Sequence, residues 1–532
     1  MLSFLHKIIL IKIKIIIFYI IMLKGDYLMN FISYDLGTGG IKASLYNEKM
    51  ETLAKSFIEY PTYYPQSYMH EQRPLDWWEG FKSSTSVLLK ESGVSPDTIA
   101  CLALSGHSLV TVPIGKDGNI LLHQVPIWSD TRATQEAEDF FGAIDKDEWY
   151  LTTGNGFPAP CYSIFKLMWL KKHEPDIFSR IYKVLGSKDY INYMLTGEFA
   201  IDPSYASGTG AYSLMGKHME QKFLDAAGIS RNIFPEIVPS HHVLGTVSAK
   251  AAAESGLSPN TKVACGGVDN ACMALGAVGS QDGRIYTSLG SSSWVPINSK
   301  TPVLDTKKKP YVFAHIEEDM FTSAFSIFAG GSSFKWAKDV LCKDISDNVY
   351  DKMGELAATV PVGSGGIIFN PSLAGGTSQD KSINIRGGYV GLSLSTTREA
   401  MIRAAMEGIA MNLKMSVTFL MQKTAKAGEI LFCGGGSKSK FWMQMFADIF
   451  DMNIIKTNID QDAASLGAAA IAARAVGTIS DYAVIPSLHH IENLSKPNRE
   501  NVAAYAKLQK IFEHVSDTLA DLGDYMSKEN NI

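Results

Sequence analysis

Tyr34-Asp35-Leu36-Gly37-Thr38-Gly39-Gly40-Ile41-Lys42 is the stretch that decides the fold of this chain. A short apolar run ends near an aspartate, the chain then turns through glycines and Thr38, and a second apolar run follows. A tight turn of this kind presents backbone N–H groups and a hydroxyl to the oxygens of a phosphate. The stretch therefore predicts a phosphate loop between two strands.

The same pattern returns about half a chain later. Leu36-Gly37-Thr38 is echoed by Leu289-Gly290-Ser291, which Ser292 and Ser293 follow. Two such loops predict two related lobes that close on one nucleotide. A match of three residues also arises by chance, and the sequence alone leaves that alternative open.

One carboxylate completes a catalytic hypothesis. In Cys265-Gly266-Gly267-Val268-Asp269-Asn270-Ala271, a run of small residues leads to Asp269. An aspartate presented in this way can accept the proton of a bound hydroxyl. It can equally cap a helix that starts at Asn270. Together with the phosphate loops, it predicts phosphoryl transfer from a nucleotide to an alcohol.

Composition narrows the class of protein. The chain has 532 residues, 46% of them hydrophobic and 19% charged, which is typical of a soluble globular enzyme with several domains. A net charge of −5 offers no basic field for nucleic acid. The six cysteines lack metal-ligand spacing and favour reduced thiols in a cytoplasmic protein. The pairs His241-His242 and His489-His490 are interpreted as surface residues rather than metal ligands.

The first 28 residues differ from the rest. Lys12 and Lys14 interrupt an Ile-rich stretch, so the clean apolar run Ile15–Leu23 is much shorter than the roughly 20 residues that a membrane-spanning helix needs. We interpret residues 1–28 as a non-native or unstructured extension before Met29. A membrane anchor is the alternative.

From Met29 onward, short apolar runs alternate with helical stretches, which indicates an α/β fold. The stretch 151–260 is predicted to be mostly helical and to wall a pocket. A long helix is predicted over Thr397–Gln422. A strand then runs into Gly434-Gly435-Gly436-Ser437-Lys438-Ser439, where a helix starts, and this arrangement binds anions or nucleotides.

The motifs, taken in order, resemble those of the FGGY carbohydrate kinases. Besides the stretches quoted above, the resemblance rests on 202–209, on 388–392 and on 403–408, and it runs from about residue 29 to 477. It implies an α/β fold of two actin-like ATPase (ribonuclease H-like) domains with a cleft between them. The expected domains are 29–275, on the sugar side with the catalytic aspartate, and 276–525, on the nucleotide side.

The resemblance also implies a role for each matched residue. Asp269 would be the catalytic base, and Asp35 would hold Mg²⁺ or a water on the phosphates. The ATP-binding residues that it implies are Thr38, Lys42, Gly290, Ser291, Gly330, Gly331, Gly434, Gly435, Gly436 and Ser439. The substrate-binding residues that it implies are His107, Ser108, Leu109, Trp128, Asp130 and Asn270.

Each of these residues has a structural alternative. Asp35 suits a turn, and Lys42 suits a solvated strand. Trp128 and Asp130 suit core packing and a helix N-terminus, and His107 suits a buried structural histidine. The sequence does not decide between these alternatives and the roles that the resemblance implies.

Within the family, the chain is similar to xylulose kinases, most clearly over 166–209. This implies ATP-dependent conversion of D-xylulose to D-xylulose 5-phosphate, with ribulose, fuculose, erythritol or glycerol as alternative substrates. Two segments depart from the pattern. In Gly106-His107-Ser108-Leu109-Val110 the histidine stands two positions early, and Gly375-Gly376-Thr377-Ser378-Gln379 replaces the usual Gly-Glu-Arg-Thr-Pro. The identity of the sugar therefore stays open.

Two other classes of protein use the same fold. An ATP-dependent chaperone or filament protein needs no sugar pocket, and the Trp128–Arg132 segment and the Asp269 loop argue against it. A non-catalytic sugar sensor would not need Asp35, Lys42 and Asp269 intact. The expected partners are a small sugar, ATP and Mg²⁺, without nucleic acid or membrane, and a homodimer is compatible with this expectation.

Overall fold

The computed structural model describes residues 29–328, 330–425 and 427–529. The interpretation of residues 1–28 as an extension therefore lies outside the described residues. Within the described ranges, no helix combines the length and the apolar character that crossing a membrane requires.

The N-terminal lobe is built around a mixed β-sheet. Its strands are β1 (Asn30–Gly37), β2 (Gly40–Tyr46), β3 (Thr52–Glu59), β4 (Tyr63–Gln66), β5 (Met69–Gln72), β6 (Ile99–Gly106), β7 (Val112–Gly115), β8 (Val125–Pro126), β9 (Ile181–Leu185), β10 (Ala200–Ile201), β11 (Tyr212–Ser213), β12 (His218–Met219), β13 (Glu236–Ile237), β14 (Val243–Thr246), β15 (Lys262–Ala264) and β16 (Gly267–Val268). Its helices are α1 (Pro74–Ser92), α2 (Thr134–Phe141), α3 (Lys146–Thr153), α4 (Ser163–His173), α5 (Pro175–Ser179), α6 (Ser187–Thr196), α7 (Pro203–Ser207), α8 (Gln221–Ala227), α9 (Ala249–Ser255) and α10 (Asp269–Val278).

The C-terminal lobe repeats the plan. Its strands are β17 (Arg284–Leu289), β18 (Ser293–Ser299), β19 (Tyr311–Ala314), β20 (Phe321–Ile327), β21 (Ile368–Asn370), β22 (Gly388–Val390), β23 (Glu429–Cys433), β24 (Asn453–Thr457) and β25 (Ile491–Ser495). Its helices are α11 (Gly330–Leu341), α12 (Val349–Ala358), α13 (Arg398–Met421), α14 (Lys440–Phe450), α15 (Ala463–Ala475) and α16 (Arg499–Glu529).

The two sheets share one topology. The first has the strand order β14-β15-β6-β1-β2-β3, and the second has the order β19-β20-β18-β17-β23-β24-β25. In each, the first strand pairs antiparallel with the second and parallel with a later one: β1 with β2 and β6, and β17 with β18 and β23. The repeat of the Leu-Gly-Thr and Leu-Gly-Ser turns therefore reflects two equivalent strand-turn-strand positions and not chance.

The central strands explain why these segments fold as they do. Every residue of β1 is buried except Asp35 and Gly37, which are half-buried, and a strand buried on both faces reads as a nearly continuous apolar run. The helices α1 and α15 pack against this sheet. The predicted long helix is present as α13, two residues shorter than expected. The region 151–260 contains helices α4 to α9 but also several two-residue strands.

Helices α10 and α15 connect the two lobes. They cross at two glycines, where a Cβ atom on Gly276 would lie 1.8 Å from the Ala463 carbonyl oxygen and one on Gly467 would lie 2.0 Å from the Cys272 carbonyl oxygen. Only glycine permits this backbone approach. Helix α15 comes late in the chain but packs on β1 and β6 of the first sheet.

Candidate active site

A cavity of about 420 Å³ lies between the lobes and receives walls from both. This volume falls within the range of pockets that hold small molecules. Its lining residues are Thr38, Ser108, Leu109, Trp128, Gly154, Asn155, Phe157, Tyr162, Ser204, Ser207, Gly208, Val268, Asp269, Asn270, Met273, Ser288, Ser292, Trp294, Tyr311, Val312, Phe313, Ser326 and Phe328.

Asp269 is the carboxylate in this wall. It is the first residue of α10, with Val268 in the N-cap position, so its charge lies at the positive end of the helix dipole. Its Oδ1 accepts the backbone N–H of Asn270 at 2.8 Å. Burial and the nearby Asp35 raise the pKa of Asp269 to about 7, against the opposing effect of the Asn270 and Ser108 backbone. A carboxyl with this pKa can release and take up a proton near neutral pH.

The glycines before Asp269 allow the loop to lie against the sheet. Gly266 has φ +75°, and a Cβ atom there would lie 2.1 Å from the Leu104 carbonyl oxygen. A Cβ atom on Gly267 would lie 2.3 Å from Ile316 Cδ1. Glycine is therefore required at position 266, where the backbone approaches the sheet before the chain reaches Asp269 at the edge of the cavity.

A buried polar network supports this loop from behind. The Lys188 ammonium forms ion pairs with Asp189 and with Asp202, whose Oδ1 is 3.0 Å away. The hydroxyl of Ser204 donates to Asp202 Oδ2 at 2.5 Å and accepts the backbone N–H of Val268 at 2.9 Å. Sequence analysis assigned no role to these residues, because their polar side chains come together only in the folded chain.

The first phosphate turn lies beside Asp269. Asp35 is a half-buried residue near the end of β1, and its Oδ1 accepts the Ser105 hydroxyl at 2.8 Å. Burial raises the pKa of Asp35, while Ser105 and Lys42 oppose that shift and Asp462 adds to it. Lys42 stands opposite Asp35 in β2, and its Nζ is 3.8 Å from Asp462 Oδ1.

Thr38 lies at the tip of this turn and in the cavity wall. Its hydroxyl accepts the Trp128 Nε1–H at 3.1 Å, and its carbonyl accepts the Gln72 amide at 2.8 Å. A hydrogen bond therefore links Thr38, a predicted ATP-binding residue, to Trp128, a predicted sugar-binding residue. No sequence pattern predicted this contact.

The second phosphate turn meets the start of α11. The backbone N–H of Gly331 donates to the Gly290 carbonyl at 2.9 Å, and a Cβ atom on Gly331 would lie 2.1 Å from that oxygen. A Cβ atom on Gly330 would lie 2.1 Å from Ser293 Oγ. The predicted ATP-binding residues Gly290, Ser291, Gly330 and Gly331 thus form one compact unit at a helix N-terminus, where anions bind well.

The third glycine segment packs against the same turn. Gly434 has φ +88°, and its backbone N–H donates to the Asp460 carboxylate. A Cβ atom on Gly436 would lie 2.3 Å from Leu289 Cδ2. The hydroxyl of Ser439 caps α14 by accepting the Trp442 N–H at 3.3 Å. A Cβ atom on Gly435 would meet no atom within 4 Å. The second and third glycine segments therefore meet at the end of β17.

The structure divides the predicted sugar contacts. Ser108, Leu109, Trp128 and Asn270 line the cavity, whereas His107 and Asp130 do not. The predicted contact of those two side chains with the sugar has no counterpart in this geometry.

Asp130 is engaged elsewhere. It is fully buried, and its carboxylate accepts hydrogen bonds from Arg132 Nε at 2.9 Å, from Arg132 Nη2 at 2.7 Å and from the backbone N–H of His70. This saturates a buried carboxylate with hydrogen bonds and a paired charge, which is the structural alternative for this residue.

His107 is buried against Trp77, with ring centroids 6.1 Å apart. Burial lowers its pKa to about 4, with the Gly37 backbone opposing the shift. The imidazole is therefore neutral at physiological pH and lies behind the loop that Ser108 and Leu109 present to the cavity.

The C-terminal lobe supplies a wall that sequence reasoning missed. Trp294 stacks on Tyr311 with ring centroids 5.7 Å apart and an angle of 11° between the rings, and Phe313 continues this surface. The wall reaches the N-terminal lobe through two hydrogen bonds, from Val312 N–H to the Gly154 carbonyl at 2.8 Å and from Ala314 N–H to Ser207 Oγ at 3.0 Å. No local pattern in the sequence shows that β19 crosses the cleft in this way.

The electrostatic character of the cavity is simple. Asp269 is its one acidic lining residue, and among the described residues that line it there is no lysine, arginine or histidine. The remaining polar groups are hydroxyls and amides. Within the described parts of the chain, no cluster of three or more acidic, histidine or cysteine side chains could hold a metal ion by itself.

Comparison with known proteins gives consistent results over most of the chain. Residues 30–276 match the N-terminal domain, and residues 285–476 the C-terminal domain, of the FGGY family of carbohydrate kinases. A xylulose kinase of Bacillus subtilis is 29% identical over 92% of this chain and 97% of its own. A gluconokinase of the same organism is 26% identical over 92% of this chain and 96% of its own. The ligand-bound structure of xylulose kinase from Lactobacillus acidophilus superposes with a TM-score of 0.86 at 26% identity, covering 93% of this chain and 99% of that one.

Proposed function

The chain belongs to the FGGY family of carbohydrate kinases and is thus an ATP-dependent phosphotransferase, and on that premise we propose that its acceptor is a neutral ketose, with D-xylulose as the first candidate. The relatives include both a xylulose kinase and a gluconokinase at similar identity, so the choice between a neutral sugar and a sugar acid needs an argument from the site itself.

The buried thiols of all six cysteines fit a cytoplasmic location.

The charge of the cavity carries the proposal. A sugar acid would bring a carboxylate into a wall whose described residues include Asp269 but no cationic side chain. A buried carboxylate without a paired cation is strongly disfavoured, and a like charge disfavours it further. Serine hydroxyls, Asn270 and aromatic rings suit a neutral polyhydroxylated chain, which exchanges hydrogen bonds and packs its C–H faces on rings.

In the proposed mechanism Asp269 acts as the general base. It accepts the proton of a terminal hydroxyl as that oxygen attacks the terminal phosphorus of ATP, and the phosphorus–oxygen bond to ADP breaks. The turns at Thr38 and at Gly290–Ser291, with the start of α11, would hold the phosphate oxygens through N–H groups and hydroxyls. No covalent intermediate on the protein is needed.

Asp35 fits a place next to the metal that accompanies the nucleotide. Mg²⁺ is commonly held by one or two carboxylates together with phosphates and water, and Asp35 is a carboxylate beside the phosphate turn. Mg²⁺ would be held there by Asp35 through water and would neutralise charge on the phosphates. Lys42, opposite Asp35 in the sheet, would add positive charge to the same region.

Lobe closure would protect the reaction from water. The hydrogen bonds from β19 to Gly154 and Ser207 hold the aromatic wall of Trp294 and Tyr311 over the acceptor side. Excluding water prevents ATP hydrolysis and strengthens the electrostatic interactions inside the site.

A coupled assay of ADP release tests the proposal. The acceptors are D-xylulose, D-ribulose, L-ribulose, L-fuculose, erythritol, glycerol and D-gluconate, each at several concentrations. We expect the highest kcat/KM with D-xylulose and none above background with gluconate. A gluconate value above every neutral sugar would refute the argument from charge. Another ketose about tenfold better than D-xylulose would replace xylulose but keep the class, whereas a higher value for erythritol or glycerol would refute the ketose assignment.

The Asp269→Asn variant is the matched control for this assay. Removing a general base costs about 10²–10⁴ in rate, while binding of ATP and sugar should persist because the side-chain shape is kept. If the wild-type protein binds a sugar but releases no ADP with any acceptor, that result would instead support a non-catalytic sensor.

A further inference from the structure

Lys166 is a buried lysine whose hydrogen bonds both go to backbone carbonyls. It lies on α4 and is 2% exposed. Its Nζ donates to the carbonyl of Leu109 at 2.8 Å and to that of Ile127 at 2.6 Å. An ammonium is costly to bury, so its placement between two carbonyls requires an explanation.

The two carbonyls belong to separate segments that reach the same cavity. Leu109 lines the cavity and has φ +63°, a left-handed conformation that residues with side chains rarely adopt. Ile127 precedes Trp128, which also lines the cavity and donates to Thr38. One side chain therefore holds two walls of the acceptor site at a fixed separation.

The first of these segments also touches the proposed base. The backbone of Ser108, next to Leu109, helps to stabilise the ionised form of Asp269. A loop that is displaced at Leu109 would withdraw this contact. The position of Lys166 thus affects both the shape of the pocket and the proton affinity of Asp269.

Several titratable or charged groups lie near Lys166 and Asp269. Cys161, Asp130 and Arg132 face Lys166, and burial lowers its pKa to about 8. Asp130 is already paired with Arg132 through two hydrogen bonds. Asp35 of β1 and Tyr286 of β17 face Asp269.

We propose that Lys166 is a positioning residue that clamps the Leu109 and Ile127 carbonyls and so holds the Leu109 and Trp128 walls of the acceptor pocket at a fixed separation. This inference rests on the proposed role of Asp269 as the base. It assigns Lys166 no contact with substrate. It predicts an effect on the sugar and on the pH profile, with little effect on the nucleotide.

The test compares Lys166→Met with Lys171→Met. Methionine keeps most of the length of lysine but removes its N–H groups. Lys171 is a fair control because it lies on the same helix and its Nζ also donates to a carbonyl, that of Gly228 at 2.7 Å, on the protein surface.

For Lys166→Met we expect kcat/KM for the sugar to fall about 10- to 100-fold, the loss that follows small misplacements of a substrate. KM for ATP should change less than about twofold, and the midpoint of the pH profile of kcat/KM should move upward because the Asp269 carboxylate loses a donor. Lys166→Arg should recover part of the loss because it retains N–H donors. Lys171→Met should keep the wild-type values of all three quantities.

A lower melting temperature for Lys166→Met with unchanged kcat/KM and pH midpoint would overturn the proposal and leave a structural lysine. If Lys166→Met does not fold, Lys166→Gln, whose side chain is one bond shorter and cannot bridge both carbonyls, is measured in its place. A folded Lys166→Gln with wild-type values for both quantities would overturn it equally. The proposed function is tested separately, since wild-type ADP release and its loss in Asp269→Asn do not depend on Lys166.

Discussion

Lowering the pH from 8 to 6 should reduce kcat/KM for the sugar about tenfold, because Asp269 accepts a proton only when it is ionised. Burial, with Asp35 as a second cause, raises its pKa to about 7. The ionised fraction is then about nine tenths at pH 8, half at pH 7 and one tenth at pH 6. An ordinary aspartate, with a pKa of about 3.9, would be ionised at all three values and would give a flat profile.

The assay measures initial rates of ADP release at saturating ATP while the sugar concentration and the pH are varied. Saturation with ATP matters because phosphate groups also titrate near pH 6. At saturation, kcat/KM for the sugar reports groups of the enzyme–nucleotide complex. The residual rate of Asp269→Asn supplies the background profile, which should lack the limb centred near pH 7.

A second variant separates the two causes of the raised pKa. Asp35→Asn removes the like charge, so the midpoint should move to lower pH while the maximum rate falls as well. The midpoint should stay above that of an ordinary aspartate, because burial is the larger cause. A wild-type profile that is flat between pH 6 and 8, or a limb that persists in Asp269→Asn, would refute the assignment of the base.

The remaining predictions concern the phosphate turns and the support of the loop. Thr38→Val should weaken ATP binding about tenfold or more, measured by titration calorimetry. Trp128→Phe, which keeps an aromatic ring but removes the donor to that hydroxyl, should affect the sugar instead. Equal effects of both variants on ATP binding would contradict this division. Gly331→Ala should also weaken ATP binding, because its Cβ atom would lie 2.1 Å from a carbonyl oxygen, while Gly428→Ala, which meets no atom within 4 Å, should bind ATP normally. Lys188→Met should lower the free energy of unfolding in urea by about 3–5 kcal/mol by leaving buried carboxylates unpaired, and an unchanged unfolding midpoint would show that this network is dispensable.

The strand-turn-strand segments could be predicted from the sequence because a tight turn depends on local residue types, and their binding of phosphate stays a prediction. A tight turn that exposes N–H groups needs glycine and small hydroxyl residues at fixed local positions, so Asp35–Lys42, Gly290–Ser291 and Gly434–Gly436 stand out without a structure. The same holds for Gly266, which the close approach of its backbone to Leu104 in β6 requires. Alternation of apolar runs and helical stretches also sufficed for an α/β fold, and the family resemblance supplied the two domains.

The set of residues that line the cavity depends on the tertiary structure. His107 and Asp130 lie in the same motifs as Ser108 and Trp128. In the structure, however, His107 packs against Trp77, and Asp130 is hydrogen-bonded to Arg132. The aromatic wall of Trp294 and Tyr311 crosses from the other lobe, and Lys166 reaches carbonyls 57 and 39 residues away in sequence. Side-chain direction at such positions depends on how sheets and helices from distant parts of the chain pack together. Local sequence patterns were enough to predict the backbone turns and the fold class, whereas the shape and charge of the cavity arise from long-range packing that no local pattern encodes.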